Sequence, residues 1–549
     1  MLDNKKDGII VQAGILAMAT VISRIIGLLY TSPLTAIIGD TGNGYYSAAY
    51  QIYVIVLLIS SFSIPSAMAK ILSQKMAVGE YRNAQRIFHC VLVYVIVVGA
   101  IASAILYFFA DRFVMGNSVT VLKVFAPTVF LSGLLGSLRG FFQAQKTMVP
   151  TSVSQIVEQM ANALVSVGGA YLLMQMVAGT SDTNRAMYGA IGSALGTGSG
   201  VLIGLIFMFV FYQRHKSGFL EKVREDKHKE LPVGPIFIMI FSIVTPFILS
   251  TCIYNVSSFL NYEVFSNILV GVKGMDYDDV ARSYGIYARK ALVITNLPIA
   301  LSSAMASAMI PNISSSFAKG DLVETEATVK KAMRAIMMVT IPSAAGLIVL
   351  ARPIIYILFP QKTSLDEAAT VMMVLAVTVI FYSISTLSNA VLQGVGRVNI
   401  PVVNALVALV LQTAVLGILL LTTDVNSYGL AIAAICYSFV MCILNSLALK
   451  KKILIKLDIT KTYVIPVISA LIMGIVAFII YDIFDILFMK IIGREYFANL
   501  FAVCIAVVVS MIVYALLMIA LKGATETEII ALPKGVKIAK FLKKVHLLK

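Results

Sequence analysis

Apolar stretches of about twenty residues recur from one end of the chain to the other, separated by short polar connections. The pattern predicts fourteen spans, at about 9–30, 45–74, 87–110, 119–142, 149–176, 187–212, 235–262, 284–312, 332–351, 367–393, 399–422, 427–449, 463–487 and 496–521. Each is long enough to cross a hydrocarbon core about 30 Å thick. The predicted class is therefore an all-α polytopic membrane protein. The first stretch, Ile9 to Tyr30, lacks an A-x-A-type cleavage site and is too long for a signal core, so it is expected to stay as the first helix.

The pattern also repeats. Shifted by 241 positions, Gly44, Tyr46, Ser61, Ser66, Ala67, Met68, Ser73, Ala77 and Gly79 fall on Gly285, Tyr287, Ser302, Ser307, Ala308, Met309, Ser314, Ala318 and Gly320. Chance in so biased an alphabet gives about one match in ten. A shift of 250 then aligns Thr120, Val121, Val124, Ala126, Thr128, Val129 and Gln143 with Thr370, Val371, Val374, Ala376, Thr378, Val379 and Gln393. Two parallel six-helix repeats plus two C-terminal helices follow from this. An even number of helices per repeat inserts both copies the same way and relates them by an axis along the membrane normal. The expected organisation is an N-terminal lobe at 1–213, a cytoplasmic linker at 214–234 and a C-terminal lobe at 235–455. Two further spans at 456–521 and a basic tail at 522–549 complete it.

Composition narrows the class. With 59% hydrophobic and 13% charged residues, the chain lies far from soluble domains, which carry about 25% charge. The net charge of +16 would suit a nucleic-acid binder, but its distribution argues otherwise. Of the 43 basic residues, 31 fall in the connections on the side of both termini and nine on the other. By the positive-inside rule both termini are cytoplasmic. The basic excess reports topology and contact with anionic lipid, worth about 1 kcal/mol per charge near the surface. The five cysteines lie in apolar segments without a C-x-x-C, and the four histidines form no ligand pair, so no disulfide framework or metal site is expected.

Charges within spans are few and costly, at least about 2.5–3.5 kcal/mol each at the centre. Arg24 lies about 22 Å along the first span at 1.5 Å per residue. It either offers a guanidinium fork to a phosphate in a wet cavity or snorkels outward beside Tyr30. Arg289 and Lys290, at the start of span eight, point about 100° apart, so at most one faces a given cavity and the other anchors at the interface. Glu158, in span five, must pair, protonate or hold a cation. It is the ion-coupling candidate, with a structural salt bridge to an arginine as the alternative. Span seven carries a polar stripe of Asn255, Ser257, Ser258, Asn261 and Glu263 that lines water or joins helices. The glycines at 192, 196, 198, 200 and 204 follow no strand and precede no G-K-[ST], so they read as close helix packing. Without a Walker motif, a helical H-E-x-x-H or a G-x-S-x-G elbow, no catalytic centre is expected. Transport would draw on an ion gradient, the membrane potential or substrate supply, with no cofactor.

Two segments carry a family resemblance. One is Ile22-Ser23-Arg24-Ile25-Ile26-Gly27-Leu28-Leu29-Tyr30 continuing through Pro33 to Tyr50. The other is Leu138-Arg139-Gly140-Phe141-Phe142-Gln143 with Met148-Val149-Pro150-Thr151 and Ser154-Gln155-Ile156-Val157-Glu158-Gln159. Together they resemble the polysaccharide-flippase branch of the multidrug/oligosaccharidyl-lipid/polysaccharide exporter superfamily, in its Gram-positive group of stage V sporulation protein B and MurJ-like lipid II flippases. The resemblance implies an alternating-access flippase of the bacterial cytoplasmic membrane. Its cargo would be undecaprenyl-pyrophosphate-linked disaccharide-pentapeptide, carried from inner to outer leaflet for peptidoglycan synthesis, in vegetative growth or sporulation. It further implies that Arg24 holds the pyrophosphate, and that Asp40 and Arg289 or Lys290 occupy the family's acidic and cationic positions. Arg139, Gly140, Gln143, Pro150 and Gln155 match its motif. The final two spans would form a groove for the prenyl tail, and cell-wall synthesis enzymes would be neighbours. The chain departs from the Gram-negative pattern at Tyr30, Thr31 and Ser32, where a second arginine is missing. That leaves another polyprenyl-linked glycan, or a cation-coupled drug exporter of the same superfamily, as rival readings.

Overall fold

The structure, a computed structural model, describes residues 3–58, 60, 64–397, 399–453 and 458–523. Among the described residues it is helical with no strand. The chain separates into two compact units, Met1–Gly285 and Ile286–Lys549.

Unit 1 holds α1 (Asp3–Leu57), α2 (Ile64–Ala77), α3 (Tyr81–Phe108), α4 (Ala110–Phe113), α5 (Ser118–Ala144), α6 (Val149–Met176), α7 (Asp182–Glu225), α8 (Val233–Ser266) and α9 (Tyr277–Gly285). Unit 2 holds α10 (Leu292–Ala318), α11 (Leu322–Val349), α12 (Ala351–Leu358), α13 (Leu365–Gly394), α14 (Asn399–Thr422), α15 (Asn426–Ile453), α16 (Ile465–Ile492) and α17 (Glu495–Ala520). The division falls beyond the linker at 214–234, because α8 and α9 both pack against α1. Part of that linker is itself helix, since α7 runs on to Glu225.

Eleven helices among the described residues are long and apolar enough to cross a membrane. The first two predicted spans count once, because α1 carries the first and the start of the second, to Leu57, across a bend at Gly39, where φ is 69° and ψ −177°, and the end of the second falls in α2. The segments expected at 235–262 and 284–312 are helical but are not among the eleven. A helix satisfies its own backbone hydrogen bonds, which is what a segment in hydrocarbon requires. The predicted bounds 149–176 and 399–422 coincide with α6 and α14.

The repeat reappears in backbone detail. In unit 1 the turn after α2 bonds Glu80 N to Lys75 O at 3.0 Å, with Gly79 at φ 82°. In unit 2 the turn after α10 bonds Asp321 N to Ser316 O at 3.1 Å, with Gly320 at φ 76°. The positive φ suits glycine, which has no Cβ to clash, and the two turns stand 241 residues apart.

The core of unit 1 near the α2–α3 turn is aromatic: Phe88, Phe141, Tyr212 and Phe219 pack ring on ring from α3, α5 and α7. Beside it the linker is pinned rather than loose. Asp226 accepts from the Arg82 backbone N–H at 2.7 Å and the His228 backbone N–H at 2.8 Å, and Asn83 bonds Lys229 O and the Leu231 N–H. Arg86 pairs with Glu230. The amide donors of His228 and Arg82, and the His228 ring, hold the Asp226 carboxyl down to about 2. A folded-state value below the ordinary carboxylate range stabilises docking fully above about pH 4, and the contribution is lost as pH falls toward 2. Asp226→Asn is expected to open residues 226–231 to protease at neutral pH, whereas the wild type opens only in acid. Limited proteolysis of the membrane-embedded protein across pH reads this directly.

Candidate functional site

A polar cavity of unit 1 forms where the first half of α1 meets α5 and α6. Ser23, Arg24 and Gly27 stand three, four and seven residues after Thr20, which places all of them on one face of α1. Gln155, Glu158 and Gln159 do the same on α6, and Arg139 reaches in from α5. The cavity encloses about 340 Å³.

The position of α6 follows from its glycine-mediated contact with α7. A Cβ added at Gly192 would lie 2.3 Å from Ala170 N, one at Gly196 2.0 Å from Ser166 Oγ, and one at Gly200 2.6 Å from Glu158 O. Backbone meets backbone along this seam, as the predicted small-residue packing requires. The seam sets the height and rotation of Glu158.

Glu158 Oε2 accepts from Arg139 Nη2 at 2.7 Å, and Arg139 Nε donates to Ser154 Oγ at 2.8 Å. Ser154 in turn donates to Thr151 O at 2.7 Å, so the guanidinium is held on two sides. The Arg139 and Glu158 side chains are 15% and 20% exposed. Their charges cancel. Arg24 is exposed and has no hydrogen-bond or ion-pair partner among the described residues, so the cavity carries a net positive charge. The Gln155 Oε1 atom is buried beside it without a hydrogen-bond partner among the described residues.

Breaking the pair has a large predicted cost. Glu158→Gln leaves a mostly buried guanidinium uncompensated, at about 3–5 kcal/mol. Adding Arg139→Gln should recover most of that loss. Unfolding midpoints of the two single variants and the double variant decide it.

Four of the residues predicted from sequence, Arg24, Arg139, Gln155 and Glu158, thus converge, and the alternative reading of Glu158 as an arginine's partner is the arrangement found. The rest lie elsewhere. Gly140 is buried against α2, where a Cβ would stand 2.9 Å from Pro65 O. Pro150 is buried in the first turn of α6, and Gln143 is half-buried near the end of α5. Glu263 accepts from Asn267 at 3.0 Å and lies outside the cavity. The Asn255 side chain falls outside the described residues. In unit 2, Arg289 and Lys290 occupy a π-helical turn, Ile286–Ala291. Lys290 is 1% exposed and donates to Ser364 Oγ at 2.7 Å, so it anchors inside its own unit and not at an interface. Asp40 follows the Gly39 bend and faces α9 through its backbone.

Around α9, between the spans predicted at 235–262 and 284–312, lies a further polar cluster. Asp278 accepts from the Tyr45 hydroxyl and, at 3.0 Å, from Thr183 Oγ1. Tyr277 bonds Ser118 at 2.6 Å and Tyr262 at 3.2 Å. The signal was Asp276, whose carboxylate accepts from the Asp278 N–H and so starts the helix.

The fold is that of a polytopic helical transporter. An inward-facing multidrug resistance MATE family transporter of the MOP superfamily superposes with a TM-score of 0.60 at 15% identity, covering 81% of this chain and 98% of that one. A structure described as lipid II flippase MurJ in an inward closed conformation gives 0.65 at 14% identity, covering 92% and 98%. More narrowly, the family model described as lipid II flippase MurJ matches residues 84–492, and the chain belongs to that family. Lipid II flippase MurJ of Bacillus subtilis (strain 168) is 25% identical over 486 residues, covering 84% of this chain and 86% of the relative. Stage V sporulation protein B of the same organism is 23% identical over 476 residues, covering 84% and 87%.

Proposed function

We propose that this protein is a flippase that carries lipid II, the undecaprenyl-pyrophosphate-linked peptidoglycan precursor, from the inner to the outer leaflet by alternating access. The observation that carries the reading is one arginine, Arg24, without a hydrogen-bond or ion-pair partner among the described residues, in a cavity whose other charges cancel. An anionic headgroup entering there meets an exposed guanidinium, able to bind two phosphate oxygens at once. Gln155, Gln159, Ser23 and Thr20 offer neutral hydrogen-bonding groups to the glycan beside it. Arg139, held by Glu158 and Ser154, keeps that wall from adding a second net charge. The protein resides in the cytoplasmic membrane with both termini inside, and the membrane potential resets it.

The experiment is depletion of the protein followed by leaflet-resolved measurement of lipid-linked precursors. Lipid II trapped in the inner leaflet supports the reading. Trapping of a different polyprenyl-linked glycan reassigns the cargo, and an unchanged distribution overturns the flippase. The similarity to stage V sporulation protein B favours running the depletion in sporulating as well as growing cells.

A further inference from the structure

The two helices without a counterpart in the other half, α16 and α17, close a second cavity in unit 2. It lies against the end of α11, α12 and the start of α13, and encloses about 280 Å³. Its walls are unlike those of the Arg24 cavity. Tyr356, Phe478 and Tyr481 supply aromatic faces, and Arg352, Asp485 and Glu495 supply charge.

The charges sort by partner. Glu495 pairs with Lys362. Arg352 uses only its Nε, bonding Asp366 at 2.8 Å, so its two terminal nitrogens keep their donors. Asp485 has no hydrogen-bond or ion-pair partner among the described residues. The Tyr481 hydroxyl is spent on Asn499, and Asn499 on Pro353 O, so these two brace the wall. The cavity therefore presents free guanidinium donors, an unpaired carboxylate and aromatic surface between helix ends.

Leu471, Ile475, Phe478 and Ile479 are exposed on α16 at spacings of four, three and one, an apolar stripe that reaches the cavity at Phe478. Phe478 belongs to both stripe and wall.

We propose that this cavity binds the headgroup of a zwitterionic amine phospholipid, its phosphate on Arg352, its ammonium on Asp485 and its acyl chains along the α16 stripe. An ammonium beside a carboxylate and aromatic faces gains both ion-pair and cation–π attraction. A headgroup with phosphate but no amine leaves Asp485 uncompensated. A free headgroup shares the polar chemistry but forgoes the apolar stripe.

The test uses the full-length protein in detergent with equimolar phosphatidylethanolamine and phosphatidylglycerol, read by native mass spectrometry. The wild type is expected to retain phosphatidylethanolamine at least about fivefold over phosphatidylglycerol. Asp485→Asn should bring the ratio near one, and Asp482→Asn, which is outside the lining, should leave it unchanged. Arg352→Gln should lower retention of both lipids while keeping the preference, which carries the test if Asp485→Asn fails to fold. A wild type without preference, a preference surviving Asp485→Asn, or an equal effect of Asp482→Asn overturns the site. Displacement of the lipid by a tenfold excess of free phosphoethanolamine would overturn the lipid as occupant in favour of a soluble amine phosphate.

Discussion

Arg24→Ala is expected to abolish export of the lipid-linked precursor while leaving the protein inserted and folded. The side chain makes no hydrogen bond or ion pair among the described residues, so its removal breaks none of those in the resting fold. What it removes is the cavity's only uncompensated charge among those residues. Two charge-assisted hydrogen bonds to a phosphate, each worth about 1.5–3 kcal/mol, correspond to a loss of about 10²–10⁴-fold in headgroup binding. Arg24→Lys keeps the charge but loses the planar fork, and should fall between wild type and alanine. The measurement is growth under depletion of the chromosomal copy, with lipid II assayed in each leaflet and the protein quantified in membranes. Full complementation by Arg24→Ala would remove this residue from the mechanism and, with it, the cavity as the headgroup site.

How far the sequence discloses such a site depends on which forces build it. Helix bounds were legible where a polar turn interrupts the apolar run, as at Lys146 ahead of α6 and Arg397 ahead of α14. They were least legible at Gly39, because a bend confined to one residue leaves the surrounding hydropathy unchanged. The paired turns at Gly79 and Gly320 show that the repeat is more than compositional coincidence, since the same backbone bond recurs at equivalent positions. The site was half visible. The rarity of charge in an apolar span marks Arg24 and Glu158, and spacing puts Gln155 and Glu158 on one face of α6. Nothing in spacing says that α1, α5 and α6 converge, because that depends on the α6–α7 glycine seam and on the reach of Arg139 across to Glu158. Lys290 misled for a related reason: an adjacent pair of cations shows no preference in sequence, and only packing turns one of them inward to Ser364.

The contact between α1 and α9 supports a second large effect. Gly44 and Gly285 are equivalent positions of the repeat, and in unit 1 they meet each other. A Cβ at Gly44 would lie 1.8 Å from Ala281 O, and one at Gly285 would lie 2.3 Å from Asp40 O and 2.7 Å from Gly44 N. Every obstructing atom is backbone, so no side chain can swing away to make room. Gly44→Ala and Gly285→Ala must therefore each push the two helices apart. Separation also draws Asp278 from the Tyr45 and Thr183 hydroxyls that it joins. Overpacking alone costs about 1–3 kcal/mol, and the lost hydrogen bonds to a carboxylate add to it at about 1.5–3 kcal/mol each. Gly168→Ala is the control. It stands in helix α6 with nothing within 4 Å of its Cβ position, so alanine there should stabilise by about 0.5–1 kcal/mol. Unfolding midpoints in one detergent would place the three variants on a common scale. If Gly44→Ala and Gly285→Ala behave like Gly168→Ala, the close crossing of α1 and α9 is not a feature of the folded protein. If both unfold early while Tyr45→Phe loses only a fraction as much, the backbone approach, and not the hydroxyl bridge, holds α9 against α1.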